Sequence, residues 1–159
     1  KENWSYANLE IGYLEQISIP GIGNMIAKFD TGNGAKSCTL HADEIEENGK
    51  KLLWTVGDKK FVNDIIGYSD AEIGRDTHTR PIIEINLEFN GSLIPNVKVS
   101  PVDRTDKSTP FLANRTLMRR MGLIVNPNKA FVVTEEPEDK YSPGKAKGEA
   151  HAGIYFENK

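Results

Sequence analysis

Ile83, Ile85, Leu87 and Phe89 alternate with Glu84, Asn86 and Glu88, and Asn90-Gly91 follows at once. Alternation at period two puts one apolar row and one polar row on opposite sides of an extended strand. Asn-Gly tolerates the positive φ of a two-residue hairpin turn, so the chain doubles back and Val97 and Val99 continue on the returning strand. Such a pattern builds antiparallel sheet. It recurs upstream, where Ile11, Tyr13, Glu15, Ile17 and Ile19 repeat at period two and Pro20-Gly21-Ile22-Gly23 signals a turn. Met25, Ala27 and Phe29 then face one way and Ile26, Lys28 and Asp30 the other, which makes a hairpin whose second strand ends on Asp30. Asn48-Gly49 marks a further turn by the same logic.

One short helix stands apart. Asn114 is placed to cap "RTLMRRM", Leu117 and Met121 lie at i,i+4, and Gly122 stands where a left-handed residue ends a helix. Leu123–Val125 and Ala130–Thr134 read as two final strands. Many short strands with one late helix imply a mostly-β barrel or sandwich. With 159 residues the chain is long enough for one domain with a sizeable core, expected over residues 1–134. Residues 135–159 carry prolines, glycines and charges with little to bury. They read as a polar extension held against a partner, with Ile154, Tyr155 and Phe156 as its anchor. The chain begins with Lys1 rather than Met, as a fragment or processed product would, and shows no secretory pattern.

A net charge of −3 gives no support for a nucleic-acid surface, and no apolar run approaches membrane-spanning length. Cys38 is the one cysteine, which excludes an internal disulfide and fits a reducing, cytoplasmic compartment. His41, His78 and His151 are scattered and lack His-Glu-x-x-His spacing, and no phosphate-binding glycine loop is present. No metal or other cofactor is expected.

The chemistry sits in Asp30-Thr31-Gly32. Two carboxylates within hydrogen-bonding reach cannot both ionise comfortably, so they share one proton. The ionised member then takes a proton from a water between them, and the protonated one donates to a scissile carbonyl oxygen. A threonine hydroxyl suits a bond across such a pair, and glycine admits the backbone close to the carboxylate. Alone, the triplet equally marks an ordinary turn.

Its surroundings add order. Lys28-Phe29-Asp30-Thr31-Gly32 is followed by Leu40-His41-Ala42, then Arg80-Pro81-Ile82-Ile83, then Asp103-Arg104, Pro110 and Leu112-Ala113-Asn114-Arg115 at the helix start. Over roughly residues 10 to 126 this succession resembles the retropepsin-like aspartic proteases, most closely a bacterial and phage group labelled ATP-dependent zinc protease. The resemblance implies a retropepsin-like closed β-barrel with one short C-terminal helix. It implies Asp30, Thr31 and Gly32 as catalytic residues, with Asn33, Gly34 and Ala35 along the substrate. Only one Asp-Thr-Gly exists, so the dyad needs a homodimer, or a higher homo-oligomer, with Asp30 from each copy. Two departures stand out. The group's Asp-Thr-Gly-Ala is spread into Asp30-Thr31-Gly32-Asn33-Gly34-Ala35, and its glycine before the helix arginine is Asn114.

Other residues carry plainer expectations. Arg80 and Arg115 read as structural or dimer-contact residues, ion-paired with Asp103 or another carboxylate. His41 is expected near the surface of the first sheet and Cys38 partly buried. Gly67–Thr79 reads as a flap over substrate or as a surface loop. Two functions follow. One is an aspartic endopeptidase acting on an extended peptide. The other is a non-catalytic phage virion or assembly component, at the neck, tail or capsid, whose C-terminal tail grips a protein partner.

Overall fold

A computed structural model describes residues 8–73, 76–137 and 156–157, without the side chains of 71–78 and 156–157. The alternating runs become strands β1 (Leu9–Ile19), β2 (Gly23–Phe29), β3 (Cys38–His41), β4 (Glu44–Asn48), β5 (Lys51–Val56), β6 (Lys59–Asp64), β7 (Gly67–Ile73), β8 (Asp76–Phe89), β9 (Ser92–Val102), β10 (Phe111–Ala113), β11 (Leu123–Ala130) and β12 (Phe156–Glu157). Helix α1 (Arg115–Met121) separates β10 from β11. The turn between β8 and β9 is the one its Asn-Gly requires, with φ of 51° at Asn90 and 81° at Gly91.

The fold is mostly β, and six strands close into a barrel in the order β1-β2-β10-β3-β9-β8. Ser18 of β1 opposite Glu88 of β8 seals the ring. Strands β2 and β3 follow one another in sequence yet do not pair. The short β10 lies between them, parallel to β2 (Phe111↔Ala27, Ala113↔Phe29) and antiparallel to β3. Met25, Ala27, Leu40, Ile83, Leu87, Val99 and Phe111 fill the interior, and the Phe29 and Phe89 rings meet at 5.8 Å. Each of these side chains larger than alanine contributes about 1.5–3 kcal/mol by leaving water. Ile26, expected on the polar side of β2, is fully buried too, on a strand paired along both edges. Strands β4, β5 and β6 form a separate three-stranded sheet, with the Asn48-Gly49 turn joining the first two.

The helix forms as its sequence signals require. Asn114, extended at φ −92° and ψ 168°, accepts a hydrogen bond from the N–H of Leu117, and Gly122 ends the helix at φ 68°. Leu117, Met118 and Met121 are its buried side.

The C-terminal end of the barrel differs from the expected pair of strands. A single strand, β11, runs Leu123–Ala130 parallel to β1, and residues 131–134 are not strand. Pro127, which has no N–H to donate, falls where the register jumps from Gly12↔Asn126 to Leu14↔Ala130. A Cβ on Gly12 would stand 2.6 Å from the Lys129 carbonyl oxygen, so glycine is what lets β11 close in there. The chain then turns at Phe131, whose φ of 54° is costly for a residue with a side chain. Glu15 offsets that cost. Although fully buried, it accepts hydrogen bonds from the N–H groups of Gly12 (2.7 Å), Val132 (2.8 Å), Val133 (3.3 Å) and Thr134 (3.1 Å), and from the Thr134 hydroxyl.

Of the C-terminal extension, Phe156 and Glu157 pair antiparallel with Met25 and Asn24 of β2, beyond the stretch that β10 covers. Ile154 and Tyr155 lie outside the described residues.

Candidate functional site

Strand β2 delivers Asp30 to an exposed loop at the end of the barrel. The Asp30 Oδ1 accepts the N–H of Gly32 at 2.9 Å, and its carbonyl accepts the N–H of Asn33 at 3.0 Å. Asn33 repeats the device, its Oδ1 accepting from Ala35 N–H at 3.1 Å. Two successive side-chain turns therefore carry the chain from Asp30 to Ala35. Thr31 and Gly34 are exposed beside them.

The loop is held from outside by the start of α1. The Arg115 N–H donates to the Asn33 carbonyl at 2.8 Å, and its Nη1 donates to the Thr31 carbonyl at 3.3 Å. A Cβ on Gly34 would lie 3.0 Å from the same guanidinium. Asn114, buried, donates from Nδ2 to the Ala35 carbonyl at 2.9 Å. Its Oδ1 also accepts from the thiol of Cys38 at 3.4 Å, and its N–H donates to that sulfur at the same distance. Cys38 is thus fully rather than partly buried, because β3 lies inside the barrel wall. Burial pushes its thiol up to about 12, against the pull of the backbone N–H bond from Asn114.

Arg80, Asp103 and Arg115 do not form the expected ion pair. Among the described residues neither arginine is paired with a carboxylate, since Arg115 is spent on loop carbonyls and Asp103 on its own turn. The Asp103 carboxylate accepts from the hydroxyl and N–H of Thr105, which hold it below the usual carboxylate range, with His41 adding a smaller pull. The residue that matters structurally is the next one. Arg104 is buried, donating to the Thr109 carbonyl (2.8 Å) and the Thr39 hydroxyl (2.9 Å). Burial and then the nearby Arg80 charge bring it down to about 10, so it remains a cation at neutral pH.

His41 is also buried, not superficial. Its Nδ1 accepts the Arg104 N–H at 3.0 Å, so the ring proton is on Nε2, which donates to Asp43 at 2.9 Å. Asp43 in turn accepts from Gly57 N–H at 2.6 Å, joining the barrel to the β4-β5-β6 sheet. Among the described residues no group of three histidine, cysteine, aspartate or glutamate side chains is arranged to hold a metal ion. The side chains of His78 and His151 lie outside the described residues. Gly67–Thr79 belongs to the β7–β8 hairpin, whose tip is likewise outside them.

Sequence reasoning isolated the Asp30 loop and the helix but missed what Glu15 and Arg104 do. The signal for Glu15 was present, since it stands in the apolar phase of β1. Arg104 carried none, because one partner, Thr109, is reached only through the fold of the intervening loop and the other, Thr39, lies 65 positions upstream.

No protein-family model matches the chain, and no curated protein is significantly similar to it. Among solved structures, the crystal structure of a Legionella pneumophila protein of unknown function (DUF785) is similar. It is 26% identical with a TM-score of 0.67, over 80% of this chain and all of that one. The likeness is one of fold, over the mostly-β barrel.

Proposed function

We propose that this protein is a retropepsin-like aspartic endopeptidase, assembled as a homodimer with one Asp30 from each copy. The observation that carries the reading is the placement of Asp30. It directly follows a strand flanked in parallel by β10, and the helix that follows β10 braces the loop bearing the carboxylate. Asp30 is exposed and Thr31 lies beside it, so both are open to a symmetry mate. In the dimer the two carboxylates share one proton and hold the attacking water between them. The ionised carboxylate takes a proton from that water as its oxygen adds to the peptide carbonyl. The protonated one donates to the carbonyl oxygen, giving a neutral tetrahedral diol that collapses with transfer of a proton to the leaving amine. The β7–β8 hairpin is the element that would cover the peptide.

The test pairs structure with activity. A crystal structure should place the two Asp30 carboxylates at hydrogen-bonding distance across a two-fold axis, and Asp30→Asn should abolish cleavage of a peptide library. Cleavage that survives Asp30→Asn overturns the reading.

A second reading has its own observation. The Asp30 Oδ1 already accepts from Gly32 N–H, which is what a turn-closing carboxylate does without catalysis. On that reading the barrel is an assembly component, in a phage virion or elsewhere, and Asp30 residues stay apart in the oligomer.

A further inference from the structure

We propose that Asn114 is a positioning residue, setting the conformation of the loop that carries Asp30. Three alternate carbonyls of that loop point toward the start of α1, and each is met by a donor from two consecutive residues. Thr31 accepts from the Arg115 side chain, Asn33 from the Arg115 backbone, and Ala35 from the Asn114 amide. At the other end, the loop leaves β2 just after the Ala113↔Phe29 pair with β10. The far end has the Asn114 bond to Ala35, after which Ser37 and Cys38 are buried.

Asn114 differs from Arg115 in how well it is itself fixed. It is 2% exposed, and its side chain makes three bonds at once, to Leu117 N–H, the Cys38 thiol and the Ala35 carbonyl. Its Oδ1 can accept from Leu117 and Cys38 only with Nδ2 turned toward Ala35, so helix, strand β3 and loop are locked to one another through a single planar group. The exposed Arg115 side chain is a weaker brace at 3.3 Å.

Two variants separate cap from tether. Asn114→Asp keeps an oxygen for Leu117 but sets a second oxygen against the Ala35 carbonyl. Asn114→Ser also caps the helix and is too short to reach Ala35. The readout is the amide spectrum by NMR. In either variant the signals of Gly32–Lys36 should shift and broaden while those of Arg119–Met121 stay in place; Leu117, whose N–H bonds the altered side chain, reports only the cap. In the peptidase, kcat should fall about 10- to 100-fold with KM little changed, as misplacement of a catalytic group does. This kinetic arm rests on the aspartic-endopeptidase reading; the spectral arm does not. Unmoved loop amides in a folded variant overturn the assignment and leave Asn114 a helix cap. Loop amides that move in a protein whose wild type cleaves nothing uphold the positioning role and sink the peptidase.

Discussion

The backbone N–H of Thr134 donates to the Oε1 of Glu15 at 3.1 Å, across 119 positions of sequence. The same carboxylate gathers Val132 and Val133, so one buried acid fastens the chain after β11 to the first strand of the barrel. The bend that follows Phe131, whose own N–H donates to the Leu14 carbonyl of β1 at 2.8 Å, is held by these bonds, with Phe131 at a φ of 54°.

Replacing Glu15 by glutamine should therefore be far from conservative. One oxygen becomes an NH2 group facing backbone donors, leaving at least one buried N–H unsatisfied. The expected loss is about 2–4 kcal/mol, which thermal unfolding would register as a Tm lower by roughly 5–15 °C. A change under about 1 kcal/mol would mean that water reaches these groups.

Arg104→Lys should also destabilise. A lysine cannot present two divergent donors to Thr109 and Thr39 from one planar group. Urea unfolding is expected to give a loss of about 1–3 kcal/mol, with the slope unchanged. An Arg80→Ala variant should not share that loss, since Arg80 opposes the Arg104 charge.

Asp43 predicts part of the acid limb. Its carboxyl lies below the usual range because of the Gly57 N–H bond, opposed by desolvation and helped by His41. The folded form thus holds its proton less tightly than the unfolded chain. Its contribution is full above the unfolded carboxylate range near pH ~3.9 and is lost as pH falls through the lower folded value. In chemical unfolding between pH 3 and 6, Asp43→Asn should show a shallower decline than wild type. Parallel declines would mean that the junction with the β4-β5-β6 sheet is not built on this charge.

Cys38 predicts the opposite limb. The unfolded thiol ionises near ~8.5, whereas the buried one rises to about 12. Its stabilising effect is present below the unfolded value and fades as pH climbs toward the folded one. Alkylation at pH 8 should proceed only through unfolding, at a rate that denaturant raises in step with the unfolding rate. Rapid labelling of native protein would contradict the burial.

Period-two alternation, with Pro20-Gly21 and Asn90-Gly91 as turn signals, was enough to read β1, β2, the second half of β8 and its return into β9, because both depend on contacts a few residues apart. The first half of β8, read as flap or loop, was not legible. The helix was legible for the same reason, with Asn114 and Gly122 acting within one turn of it. What the residues could not disclose was adjacency. β10 is three residues long and carries too little pattern to reveal that it separates β2 from β3. Glu15 could be seen as an acid among isoleucines, but its partners come from the far end of the chain. Asp30 was visible as a motif. That its loop is braced by Asn114 and Arg115, some eighty positions later, is decided by tertiary packing, since a hydrogen bond answers to distance in space and not along the sequence.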